Sequence, residues 1–343
     1  MELIKTKSLI DKMYSAEKFG SYAISVYKDG KCERLMSDEV NGDTYFDTAS
    51  MGKVLVTSTL ILKAINSGNL NLNDTLDMFF DNIPNDRRKI TVQQLLTHTS
   101  GIVRCNIPDR VADCGTESVA AYIISNPLAY KPGSDYRYSC NGYILLGFIL
   151  EKIYKKSLDK IYYDETVSRL GLTRSCFNIA LDEPNTAVCY RWREVGKRPV
   201  DDENVYTLGG IAGSGASFSS LNDIERFAKA VLEKSEKLYS NELFDLAERD
   251  YTPDFAVGRG LGYLMPDSRY SQTGKLFSKG SFGHCGHCGH SFFIDRKMNM
   301  YVIILTNATR YANMKNNFAG YDYAEIMKMR EDIHNAIKED VER

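Results

Sequence analysis

Apolar residues change their period twice near the start of the chain. Leu3, Ile4, Ile10, Met13 and Tyr14 recur at helical spacing, which predicts a helix over residues 3–18. Two β-prone runs follow, Tyr22–Tyr27 and Lys31–Met36, with Asp29-Gly30 between them. That dipeptide is favoured in two-residue hairpin turns, so the chain opens helix, strand, strand. The other end mirrors it. Ser291–Asp295 and Met300–Thr306 flank a polar turn, Arg296–Asn299, and predict a second hairpin. A last helix is predicted over Tyr323–Ile337, apolar at Ile326, Met327, Met329, Ile333 and Ile337.

Between these ends the pattern is mostly helical, with candidates at 51–67, 91–97, 116–125, 142–155, 221–234 and 241–248. No fixed-period repeat or linker-like break divides the chain. The most economical fold is α/β (α+β): an antiparallel sheet built from both chain ends, flanked by helices, with a mostly helical lobe inserted. The expected single domain has a sheet lobe at about 1–65 and 250–343 and a helical lobe at about 66–249. A cleft between two lobes is the usual place for a site.

Charge narrows the function classes. The 43 Lys+Arg nearly balance 45 Asp+Glu, which removes the basic footprint of a general nucleic-acid binder. A hydrophobic share of 43% excludes a disordered chain. Eight cysteines in 343 residues are too sparse for a stapled secreted scaffold. Residues 1–13 carry charge in every turn and lack a signal-peptide core. The longest apolar run, Tyr143–Leu150, is well short of a bilayer span. The expectation is a soluble, cytoplasmic chain with reduced thiols and no membrane partner.

Candidate chemistry begins at Ser50-Met-Gly-Lys53, where a helix is predicted to start. Residues three apart share a helix face, so Lys53 can reach the Ser50 oxygen. A serine hydroxyl is a weak nucleophile until a base takes its proton, and a desolvated lysine can be that base or hold its position. The helix start adds positive potential and a free amide. Alone, the pattern is short and common. Four further blocks follow in order: Leu95–Ile102 with His98 inside it, Lys131–Gly147, Leu208–Ser220 and Phe282–Gly289.

Together these five blocks resemble the serine β-lactamase-like superfamily: class C β-lactamases, D-Ala-D-Ala carboxypeptidases and related penicillin-binding proteins, D-aminopeptidases and family VIII esterases. The resemblance runs from about Tyr22 to Asn307. It implies that Ser50 is acylated and that Lys53 is its partner. Tyr138 matches the tyrosine of the family's Y-x-N box, five residues after Gly133 and nine before Gly147. Beside a cationic Lys53 its phenolate form is expected to be favoured, making it general base and later general acid.

The chain departs from the pattern twice. The asparagine two residues after the tyrosine is Cys140, with Asn141 one position late. A thiol donates and accepts weakly. Either Asn141 swings in to meet the substrate amide, or Cys140 merely shapes the pocket; consecutive helical side chains diverge by about 100°, which favours the second. The third box is His284-Cys285-Gly286, where β-lactamases carry Lys-Thr-Gly and many esterases and peptidases His-Thr-Gly. Histidine, neutral or charged near its ordinary pKa, weakens the demand for a substrate carboxylate. Gly286 is expected where a strand edge approaches the acyl group. By resemblance, the N–H of His287 joins that of Ser50 as the oxyanion hole. Asp201–Asn204 resembles a V-H-D-E-N stretch of some relatives, with Asp201 in the histidine's place; it is assigned a loop-organising role and no chemistry.

The run His284–His290 also admits zinc or redox readings. Strand alternation through it would put His284, Cys288 and His290 on one face and Cys285 with His287 on the other. No second Cys/His pair lies close by, and no thioredoxin-like pattern surrounds it. The expected assignment is therefore no metal and no cofactor. The expected activity is a serine hydrolase working through an acyl-enzyme on a small-molecule or peptide substrate: a small ester, a D-amino-acid peptide or a β-lactam-like amide. The alternatives are a D-Ala-D-Ala carboxypeptidase, penicillin-binding protein or weak class C-like β-lactamase, then an idle binding relative or a zinc or redox protein using residues 284–290.

Overall fold

The computed structural model describes residues 1–188, 200–267, 269–315 and 322–343. Its strands are β1 (Tyr22–Lys28), β2 (Lys31–Met36), β3 (Tyr45–Asp47), β4 (Thr186–Ala187), β5 (Phe218–Ser219), β6 (Gly258–Arg259), β7 (Leu264–Met265), β8 (Phe282–Cys285), β9 (Ser291–Asp295) and β10 (Met300–Thr306). Seven form one sheet in the order β2-β1-β10-β9-β8-β7-β6. Every pairing in it is antiparallel, and β1 lies against β10 from Tyr22↔Thr306 to Lys28↔Met300. The two ends of the chain are thus adjacent strands, as the hydrophobic pattern implies.

The predicted hairpin turn is present. Asp29 and Gly30 both have positive φ, 49° and 87°, as a type I′ turn requires. Side-chain alternation divides the sheet between two cores. Ile24, Val26, Val302 and Ile304 pack with Ile10, Ile333 and Ile337 of the helices Ile4–Ser15 and Tyr323–Val341. Ala23, Ile303 and Leu305 point the other way, into the main core with Phe227 of the helix Leu221–Leu232.

The helix Cys140–Tyr154 is buried from Cys140 through Leu150, which accounts for its unbroken apolar run. Among the described residues no helix is long and apolar enough to cross a membrane. Short helices at Asp109–Ala112, Leu158–Tyr162, Glu203–Thr207 and Ala308–Lys315 escape the sequence pattern, because one or two turns leave little room for a period.

Two expectations need correction. The single helix predicted over 51–67 is three pieces: a 3₁₀ turn at Ala49–Met51, a π-type segment at Lys53–Ser58 and an α-helix at Thr59–Asn66. The strand read through residues 284–290 stops at Cys285. Gly286 and Gly289 close a turn there, with the Gly289 amide donating to Gly286 O at 3.2 Å. Gly289 has φ 97°, and a Cβ on it would stand 2.2 Å from Thr306 Oγ1. The face grouping of His284, Cys288 and His290 therefore does not form.

Candidate active site

A second, three-stranded sheet, β4-β3-β5, delivers Ser50. β3 ends at Asp47, and the Thr48 amide donates to Ser217 O at 2.8 Å. Ala49 then takes φ 48°, unusual for an L side chain and common beside active sites. Gly215 makes room for it: at φ 138°, a Cβ there would lie 2.4 Å from Ala49 O. Ser50 follows in the first helical turn, partly exposed.

Lys53, one turn on, is fully buried. Its Nζ donates to Ser50 Oγ at 3.1 Å and to Ser214 O, and lies 3.5 Å from Cys140 Sγ. It also sits over the rings of Tyr138 and Tyr143, 5.1 and 5.7 Å from their centroids. Tyr138 precedes the N-cap of the helix Cys140–Tyr154, where Ser139 Oγ accepts from the Gly142 amide at 3.3 Å. Its hydroxyl donates to Ser50 Oγ at 2.9 Å. Ser50, Lys53 and Tyr138 therefore meet at one oxygen.

Burial, with the neighbouring Cys140 thiol adding to it, pushes the Tyr138 phenol well above its ordinary range; the Ser50 hydrogen bond and the Arg259 charge only partly offset this. The expectation of a favoured phenolate is thus corrected: the resting phenol holds its proton. His98, inside the Leu95–Ile102 block, braces it. The His98 ring lies 4.4 Å from that of Tyr138, and its Nδ1 accepts the Ser139 amide proton at 3.1 Å.

These groups open on a cavity of about 940 Å³ that also reaches Cys140, Arg259, His284 and His287. His284 is buried, and desolvation together with the Arg259 and Lys53 charges holds its pKa well below the usual value. It is the neutral ring, not the cation. Its Nδ1 lies 2.7 Å from Cys285 O, which can only accept, so the proton sits on Nδ1 and Nε2 is an acceptor. That Nε2 has no partner among the described residues. Arg259, also buried, spends Nε and Nη2 on the Tyr136 hydroxyl at 3.2 and 2.7 Å, while its Nη1 has no partner among the described residues. A cation and a neutral acceptor thus share the cavity wall.

Gly286 acts differently from its sequence reading. A Cβ there would stand 3.1 Å from Thr48 O and 3.2 Å from Ala49 Cβ, so the glycine lets the turn carrying His287 press on the backbone carrying Ser50. Arg330 holds that turn by donating to Gly286 O at 2.7 Å and His290 O at 3.0 Å.

Asn141 is not brought to the substrate side. Its Nδ2 donates to Cys105 O at 3.2 Å and contacts Cys105 Sγ at 2.8 Å, pointing away from Lys53 as helical divergence requires. Cys140 takes the cavity position instead. His290 turns inward, with Nε2 donating to Asp47 O at 2.7 Å and Nδ1 accepting from the Thr306 amide at 3.0 Å. His287 and Cys288 meet Asp201, whose Oδ2 contacts His287 Nε2.

The family model described as Beta-lactamase matches residues 7–322. The chain belongs to the β-lactamase family. An Escherichia coli O157:H7 protein named "Putative D-alanyl-D-alanine carboxypeptidase" is 27% identical over 319 residues, covering 81% of this chain and 72% of its own. A Salmonella typhi protein of the same name is 26% identical over 305 residues, 77% and 69%. Among solved structures, an octameric penicillin-binding protein homologue from Pyrococcus abyssi superposes with TM-score 0.72 at 23% identity, over 95% of this chain and 76% of that one. EstCE1, a hydrolase with promiscuous acyltransferase activity, gives TM-score 0.74 at 17% identity, over 95% and 97%.

As a β-lactamase-family serine hydrolase, the chain carries three site residues to which the sequence reading gave no chemistry. His98 lies inside the Leu95–Ile102 block, so its place in the motif was the available signal. For Asp201 the signal was an aspartate where the Asp201–Asn204 stretch resembles one that begins with histidine. Arg259 had no signal: in Val257-Gly-Arg-Gly-Leu-Gly nothing distinguishes it from a surface arginine.

Proposed function

We propose that Ser50 is the nucleophile of an S-x-x-K acyl-enzyme mechanism, acting on an ester or amide carbonyl held in the cavity. The observation that carries this is the convergence of Lys53 Nζ and Tyr138 Oη on Ser50 Oγ, at 3.1 and 2.9 Å. Both lie within the reach a proton acceptor needs. Tyr138 must release its proton before it can accept that of Ser50; a phenol held high by burial then makes a strong base, while Lys53 positions the Ser50 oxygen. The Ser50 and His287 amides hold the oxyanion, Tyr138 returns the proton to the leaving group, and water releases the acyl group. A neutral His284 in the third box supports small neutral esters or amides as substrates.

A second reading rests on Arg259. Its unpartnered Nη1 beside the site supports substrates that bear a carboxylate, the class to which a D-Ala-D-Ala carboxypeptidase substrate belongs.

The test is labelling with a fluorophosphonate and turnover of p-nitrophenyl esters, nitrocefin and D-amino-acid peptides. Wild type should label at Ser50 and turn over at least one substrate class. Ser50→Ala should abolish both, and Tyr138→Phe should slow acylation roughly 100-fold or more, the usual scale of a lost acid–base group. Equal labelling and turnover by wild type and Ser50→Ala would remove the mechanism.

A further inference from the structure

Asp201, His287 and Cys288 come from two distant stretches of chain, yet their ligand-type atoms all lie within 4.8 Å of one another. Cys288 Sγ is 3.6 Å from His287 Nε2 and 3.7 Å from Asp201 Oδ2. Around a tetrahedral zinc, with sulfur at about 2.3 Å and nitrogen or oxygen at about 2.0–2.1 Å, such edges measure about 3.5 Å. Two of the three edges therefore already have metal-site length. The third, Asp201 to His287, is a direct hydrogen bond that needs to open by about one ångström.

The backbones are held in advance. The Asp201 amide donates to Asp47 Oδ2 at 3.2 Å. Cys288 O accepts from Thr306 Oγ1 at 2.7 Å and from the Ala308 amide at 3.1 Å.

We propose that Asp201 Oδ2, His287 Nε2 and Cys288 Sγ form a three-ligand site for a divalent transition metal of the zinc class. One thiolate, one imidazole and one carboxylate match zinc and its neighbours and not the hard, all-oxygen preference of magnesium or calcium. Binding displaces the proton between His287 and Asp201 and the Cys288 thiol proton to solvent. Asp201 and His287 line the catalytic cavity while Cys288 is fully buried behind them, which leaves the fourth position on the cavity side. Such a metal ties the Asp201 segment to the turn that carries the His287 amide. Metal binding at these three side chains is read out without acyl transfer at Ser50, so the two proposals stand or fall separately. The zinc reading of residues 284–290 grouped His284 with Cys288 and His290; the fold instead brings His287 and Cys288 to Asp201.

The test uses full-length protein purified without a metal-affinity tag, stripped with a chelator and titrated with Co(II). One equivalent should give the intense d–d absorption of tetrahedral cobalt and a thiolate-to-cobalt charge-transfer band, both removed by added Zn(II). Cys288→Ser should lose the charge-transfer band. Asp201→Asn should weaken binding by at least roughly 10-fold, the cost of losing even an outer-shell partner. Circular dichroism confirms that each variant is folded, and either variant alone decides the matter. No cobalt spectrum in wild type, or one unchanged in the folded variants, overturns the site and leaves an Asp201–His287 pair that only clasps the turn.

Discussion

The His98 ring packs 4.4 Å from the ring of Tyr138 while its Nδ1 accepts the Ser139 amide proton, so one histidine fixes both the face of the phenol and the backbone behind it. Burial, reinforced by the Arg259 and Lys53 charges, keeps His98 neutral. His98 itself has φ 59°, and its carbonyl accepts from Tyr130 Oη at 3.1 Å and the Arg137 amide at 3.0 Å. It is a positioning residue. His98→Ala should lower kcat about 10- to 100-fold with little change in KM, because misplacement of a reacting group acts on the chemical step. His98→Asn should recover part of the loss, since asparagine tolerates positive φ. Steady-state kinetics with one p-nitrophenyl ester decides; a pure KM effect would show that His98 touches substrate instead.

Arg259 should decide between substrate classes. Its guanidinium is buried and lies 5.6 Å from the Tyr138 ring centroid, close enough for a carboxylate on a bound substrate to reach Nη1. Arg259→Gln should raise KM about 10- to 100-fold for a substrate with a free carboxylate, the worth of one charge-assisted hydrogen bond. The matched neutral ester should keep its KM. Any shared change in kcat reports the charge that Arg259 exerts on Tyr138. Equal KM effects on both substrates would refute the carboxylate role.

Acid should destabilise the fold through its histidines. Four of the five are buried with depressed pKa values: His98 and His284 well below 6.5, His334 about 4 and His290 about 3, with desolvation the leading cause in each. Unfolding lets each take a proton below pH about 6.5, so their contribution is complete above that pH and is lost as pH falls toward 4. Asp47 works in the opposite sense. Burial raises it to about 6, so the folded state takes up a proton that the unfolded chain lacks, offsetting one of the four. Glu151 and Glu248, also raised by burial, add to that offset, so the net uptake on unfolding near pH 5 is a small number of protons in the histidines' direction, each worth about 1.4 kcal/mol per pH unit. Urea melts between pH 4.5 and 7 should show this slope, and His334→Gln should reduce it by about one proton. A flat profile contradicts the buried neutral rings.

Much of the fold was legible because β-prone and apolar runs announce themselves. β1, β2, β9 and β10 are short β-prone runs with a turn between each pair, and the helix Cys140–Tyr154 carries an unbroken apolar run. The site was legible wherever spacing encodes proximity, as between Ser50 and Lys53. It was illegible where proximity is made by a turn or by a buried surface. Gly286 and Gly289 end β8 early, and that turn separates His284 from Cys288 and His290 while carrying His287 and Cys288 to Asp201. The Tyr138 proton was misjudged because the spacing shows Lys53 nearby, whereas the burial that pushes the phenol up is not visible in sequence.

Cys140 carries the last prediction. Its Sγ lies 3.5 Å from Lys53 Nζ on the cavity wall, the place where the resemblance puts an asparagine, while the true asparagine of this stretch is committed to Cys105. A thiol gives Lys53 a poor acceptor and an amide substrate a poor donor. Cys140→Asn should restore both contacts and speed acylation by nitrocefin about 10-fold, the upper end for one neutral hydrogen bond. Cys140→Ala removes the sulfur without supplying a carboxamide and should give no gain. Ester turnover, which needs no donor to an amide carbonyl, should change far less in either variant. If the two variants react alike with nitrocefin while still labelling with a fluorophosphonate, substrate amides are read elsewhere in the cavity.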